Sequence, residues 1–150
     1  MPKPFSLSVL LRLREAEEEQ MEHRLREAAN LRHDVQSAID RSCEEHQKQQ
    51  QALREAIDRG IAGGEIVWLR RCIQNLEGNM QQLHVSLLRA EQIYQHQQIA
   101  YRHARQKREV LSTLRQKQID DARTRAQRTE QLEQDELYLL RRHYEQRERQ

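Results

Sequence analysis

Histidine and cysteine are the residues of this 150-residue chain best suited to hold a metal or move a proton, and their spacing argues against both. A helical metal site places two ligands four residues apart on one face. None of His23, His33, His46, His84, His96, His103 and His143 has another histidine four residues away, and no His-Glu-x-x-His occurs. Cys43 and His46 share a helical turn, but they supply two ligands with no third. A Gly-x-x-x-x-Gly-Lys-Ser/Thr loop is missing, so the chain is not expected to hydrolyse nucleotides by itself. Serines are few, and nothing in the pattern builds a cleft to shield a nucleophile. We therefore expect no catalytic residue, no cofactor and no metal. Such a protein would offer shape and surface.

The elements that carry these residues are set by where helix breakers fall. Both prolines, Pro2 and Pro4, lie in the first four residues, and the glycines are Gly60, Gly63, Gly64 and Gly78. Proline disfavours a helix interior by about 3 kcal/mol and glycine by about 1 kcal/mol. Two helices follow, at about 6–59 and about 65–145, joined by a turn at 60–64. The predicted fold is all-α: one domain over 1–150, a long antiparallel two-helix coiled-coil hairpin with unequal arms. Gly60 is placed to end the first helix in the left-handed conformation, and Gly64 to cap the second ahead of Glu65.

The second helix carries the clearer repeat. Steps of three and four from Ile66 reach Leu69, Ile73, Leu76, Met80, Leu83, Leu87, Ala90 and Tyr94, all apolar. The series continues through Gln97, Tyr101, Ala104, Arg108 and Leu111. A 3.5-residue repeat held this long predicts a left-handed coiled coil. Leu7, Leu11, Met21, Leu25, Ala28, Val35, Ile39, Leu53 and Ala56 make the answering stripe, broken by Arg14, Glu18, Arg32, Ser42, His46 and Gln49. The stretch 44–51 is nearly without apolar side chains and should pair loosely. Gly78, nearly opposite His46, makes the same level a candidate for bending. Cys43 and Cys72 stand about two turns out of register across such a hairpin, so free thiols in a reducing compartment are expected.

Charged residues make up 33% of the chain and aromatics 4%, which suits a narrow seam and not a broad core. The net charge of +2 is too balanced to imply nucleic acid. Residues 101–128 hold nine Lys or Arg against three acids, a pattern read as a solvated helix face. The run Ile66-Val67-Trp68-Leu69 is far too short to span a bilayer, so no direct membrane insertion is expected. Phe5-Ser6-Leu7-Ser8-Val9-Leu10-Leu11 leads straight into Arg12-Leu13-Arg14-Glu15 and reads as the start of a helix in an unexported protein.

Unequal arms leave the end of the second helix uncovered from about Gln118. There Leu132, Leu137, Tyr138, Leu139, Leu140 and Tyr144 have no partner left in the chain, which argues for a binding surface. Trp68, the single tryptophan, either packs under the turn or stands out as an anchor.

Three segments resemble the FliJ family of flagellar export proteins, over essentially the full length. They are Phe5-x-Leu7-x-x-Leu10-Leu11-x-Leu13-Arg14-x-x-Glu17, then Gly60-Ile61-Ala62 with Trp68-Leu69 and Ile73-x-x-Leu76-Glu77, and finally Glu133-x-Asp135-Glu136 with Arg141-Arg142 and Tyr144. The resemblance implies an antiparallel coiled coil similar to the stalk of rotary ATPases. It implies a non-enzymatic component of flagellar type III protein export, serving flagellum biogenesis and motility. Its terminal end would enter the hexameric flagellar export ATPase and promote its assembly and activity, through Leu7, Leu10, Leu11, Leu13, Arg14, Leu132, Leu137, Leu139 and Leu140. Trp68, Cys72, Leu76 and Leu83 would face the cytoplasmic linker region of the membrane export gate. Export chaperones are further implied partners. The implied location is cytoplasmic, peripheral to the inner membrane at the flagellar base. Three alternatives stand beside this reading: the equivalent stalk of a virulence-type secretion system, a structural coiled-coil dimer, and a nucleic-acid-binding rod using 102–128.

Overall fold

The computed structural model describes residues 4–150. It contains two helices packed against each other as a hairpin, α1 (Ser8–Asp58) and α2 (Gly63–Glu148), with no strand among the described residues. This is the predicted fold class.

Helix α1 is stopped by a specific backbone arrangement. Ile61 N–H donates to the Ala56 carbonyl at 3.1 Å, and Gly60 N–H donates to the Ile57 carbonyl, also at 3.1 Å. This pair of bonds is a Schellman motif, which requires a left-handed residue just past the helix. Gly60 supplies it with φ of 67°. The second helix begins at Gly63, one residue ahead of the expected Gly64 cap, with Glu65 N–H bonded to the Ala62 carbonyl at 3.0 Å. A backbone carbonyl opens this helix, so Gly64 lies inside its first turn, and Glu65 places a negative charge at the positive end of the dipole.

The chain divides into two compact units, one comprising Glu17–Ala104 and the other Met1–Ala16 with Arg105–Gln150. In the first, the buried side chains are Ala28, Ile39, Ala56, Ile73, Ala90 and Ala104. In the second they are Leu11 and Leu111. Four of these eight are alanines, which bury little area each, so the seam is thin and few side chains carry it.

Every position of the predicted α2 series from Ile66 to Leu111 is buried or half-buried. So is every α1 position of the answering stripe from Leu11 to Ala56, the polar interruptions included. The heptad register therefore runs through its polar members without slipping. Arg32 and His46 are engaged across the helices of the Glu17–Ala104 unit. The Arg32 guanidinium lies 4.1 Å from the centroid of the Tyr94 ring, a cation–π contact. His46 Nε2 lies 3.0 Å from Glu77 Oε1. The 44–51 stretch is helical, with His46 and Gln49 filling its seam positions half-buried. Cys43 and Cys72 are free thiols, both half-buried.

Candidate partner-binding surfaces

In the unit formed by Met1–Ala16 and Arg105–Gln150, burial along α2 fades by steps. Leu111 is buried, Ser112, Gln118 and Ala122 are half-buried, and every residue from 123 to 150 is exposed. The uncovered end thus starts about one turn later than the expected Gln118. Phe5, which precedes α1, is itself half-buried.

Six large apolar side chains stand on this uncovered end: Leu132, Leu137, Tyr138, Leu139, Leu140 and Tyr144. Each is more than half exposed, from 54% at Leu140 to 64% at Leu132 and Tyr144. Such side chains on a water-facing helix leave a large apolar area unburied, a mark of interaction surfaces. The amino-terminal residues of the expected ATPase contact behave differently from one another. Leu7 and Leu13 are exposed, Leu10 is half-buried, and Leu11 is a core residue at 4%. Arg14 is half-buried and already engaged by another group. Leu11 can therefore act on a partner only by holding its neighbours in place.

The two groups of leucines do not make one patch. Leu11 and Leu111 mark the level at which the helices of this unit bury each other. Leu132 lies 21 residues further along α2, or about 30 Å of helix. A partner touching both must be extended along the helix or contact them at separate points.

In the Glu17–Ala104 unit, Trp68 is 63% exposed beside Val67 at 66%. Of the two readings of Trp68, the structure favours the exposed one. Cys72, Leu76 and Leu83 are half-buried, and the last two are seam positions that offer only an edge to a partner. A shallow open depression on α2, lined by Gln74, Gly78, Gln82 and Arg89 among others, follows the same helix. Val9, at 80% exposure, and Val67 were not singled out from sequence. Both fall outside the three-and-four series, and that departure was the available signal.

Among the described residues, no three His, Cys, Asp or Glu side chains gather as a metal site would require. No described helix is long and apolar enough to cross a membrane.

Comparison with protein families gives one decisive match: the model of the flagellar FliJ protein aligns with residues 2–148. The chain belongs to the FliJ family. Membership makes it a component of the flagellar protein export apparatus. Searches of curated proteins and of solved structures gave no match. The FliJ match covers both helices and the turn, including the uncovered end of α2. That end is thus within the family's extent and not an addition to it.

Proposed function

We propose that this FliJ-family chain is a non-enzymatic stalk and coupling component of type III flagellar export. Its terminal unit enters the hexameric export ATPase, promotes ring assembly and hydrolysis, and links the ring to the membrane export gate and to export chaperones. The protein would work in the cytoplasm, held peripherally at the flagellar base by these partners.

One observation carries the reading: the uncovered end of α2 with its six exposed apolar side chains. A stalk inside a ring needs a stiff element whose contacts differ around its circumference. Leu137, Tyr138, Leu139 and Leu140 are consecutive, so at about 100° per residue they cover most of the helix circumference. Such a helix can meet several subunits at once. Leu7, Leu10, Leu13 and Leu132 add apolar area at other levels, with Leu11 and Arg14 supporting the first group. For the gate, Trp68 is the best anchor, since a large exposed indole suits a binding hot spot. Cys72, Leu76 and Leu83 would contribute the edges they leave at the surface.

The test is ATP hydrolysis by the cognate export ATPase, with and without the chain at a ratio stoichiometric to the ring. Stimulation by the full chain, lost on truncation after Gln131, supports the reading. Absence of both stimulation and co-sedimentation with the ATPase rejects it.

A further inference from the structure

On the uncovered end of α2, Leu137, Leu140 and Tyr144 of the proposed ATPase contact share one stripe with Glu130, Glu133 and Arg147, charged residues that the ATPase reading leaves unused. Steps of three and four from Glu130 reach Glu133, Leu137, Leu140, Tyr144 and Arg147. All six side chains are exposed. The stripe is a second coiled-coil face, turned about 100° from the continuation of the intramolecular seam, which would run through Leu132, Glu136 and Leu139.

The stripe is complementary to itself when reversed. With two copies antiparallel and centred between Tyr138 and Leu139, Leu137 meets the partner's Leu140 and Leu140 meets the partner's Leu137. Tyr144 packs over the partner's Glu133, whose carboxylate can accept a hydrogen bond from the phenol O–H. Glu130 meets the partner's Arg147 at each end, opposite charges at the same level. A parallel pair fails the same comparison, since it sets Glu130 on the partner's Glu130 and Arg147 on the partner's Arg147. We infer that residues 130–147 of α2 pair antiparallel with the same segment of a second copy of this chain. The contact is isologous and closes on itself, so it makes a dimer and not a filament. With two leucine layers at its centre it is a small interface, of roughly micromolar affinity or weaker. It covers Leu137 and Leu140 in the free protein. This inference does not depend on the identity of any other partner.

Sedimentation equilibrium of the full-length protein from about 1 to about 200 μM tests it. The expected result is a monomer–dimer equilibrium. Arg147→Glu alone, or Glu130→Arg alone, weakens it by about tenfold, because each creates two like-charge pairs. The double variant Glu130→Arg/Arg147→Glu restores the wild-type constant within about threefold. All three variants change exposed side chains, so circular dichroism should show unchanged helix apart from fraying of the last turn, where the carboxylate introduced by Arg147→Glu opposes the dipole, an effect common to that single variant and the double variant. A single monomer mass across the range overturns the proposal, as does growth beyond the dimer. Failure of the double variant to restore also overturns it, as does indifference to the single reversals, which a parallel pair would show.

Discussion

Gly60 and Gly78 give a test in which two identical substitutions should move stability in opposite directions. A Cβ placed on either meets nothing within 4 Å, so sterics against neighbours cannot separate them. The backbone does. Gly60 has φ of 67°, and Gly78 lies in the exposed interior of α2 with no such conformation. For Gly78→Ala the unfolded chain loses freedom and the helix loses nothing, a gain of about 1 kcal/mol. For Gly60→Ala the left-handed conformation costs about 1–2 kcal/mol. It also puts the two Schellman bonds, from Gly60 to Ile57 and from Ile61 to Ala56, at risk. The midpoint should rise by about 3 °C for Gly78→Ala and fall by a similar or larger amount for Gly60→Ala. Thermal and urea unfolding followed at 222 nm would read both. A neutral or destabilising Gly78→Ala would refute the reasoning, since it would mean that the glycine serves a bend or a close approach that alanine cannot make.

Ile73→Ala, in the core at 8% exposure, should cost about 2 kcal/mol, whereas Leu88→Ala, at 66%, should change stability by less than about 0.5 kcal/mol, both by urea unfolding. Gln97→Leu should stabilise by about 1 kcal/mol in the same assay, because Gln97 Oε1 is buried at a seam position without a protein hydrogen-bond partner. Arg32→Ala and Tyr94→Leu, measured singly and together, should show a coupling of about 0.5–1 kcal/mol from the contact at 4.1 Å, and strict additivity would remove the cation–π interpretation.

The hairpin was legible because its two determinants are local. Glycine at 60, 63 and 64 marks the turn, and a repeat of three and four residues marks the face that turns inward. The polar members of the repeat were harder to place. Arg32 and His46 look like interruptions in one dimension, yet each finds a partner on α2 that depends on register, Tyr94 and Glu77 respectively. The surfaces were partly legible. The exposed leucines of the α2 end follow from unequal arms. The burial of Leu11 follows from its place in the α1 stripe, although its position in an apolar cluster suggested a contact residue. The separation of the amino-terminal leucines from Leu132–Leu140 needed the level at which Leu11 and Leu111 are buried, which no spacing within either helix supplies.

The end of α2 must be helical without the burial that stabilises most helices, since its residues from 123 to 150 are all exposed. Its composition answers that need. It holds no glycine or proline, and its β-branched residues are Thr124 and Thr129. Both threonine hydroxyls donate to the carbonyl four residues back, Asp120 at 2.9 Å and Arg125 at 3.0 Å. The rest is largely Arg, Gln, Glu and Leu, which lose little freedom in a helix. Arg147 in the last turn sits favourably against the negative end of the dipole. Local propensity therefore does here what a seam does elsewhere in the chain. A surface already helical before it meets a partner has less conformational entropy to lose on binding. Exposed leucines on such a helix can bind weakly to a second copy and more strongly to a larger apolar surface. The contacts can be exchanged without unfolding the segment that makes them.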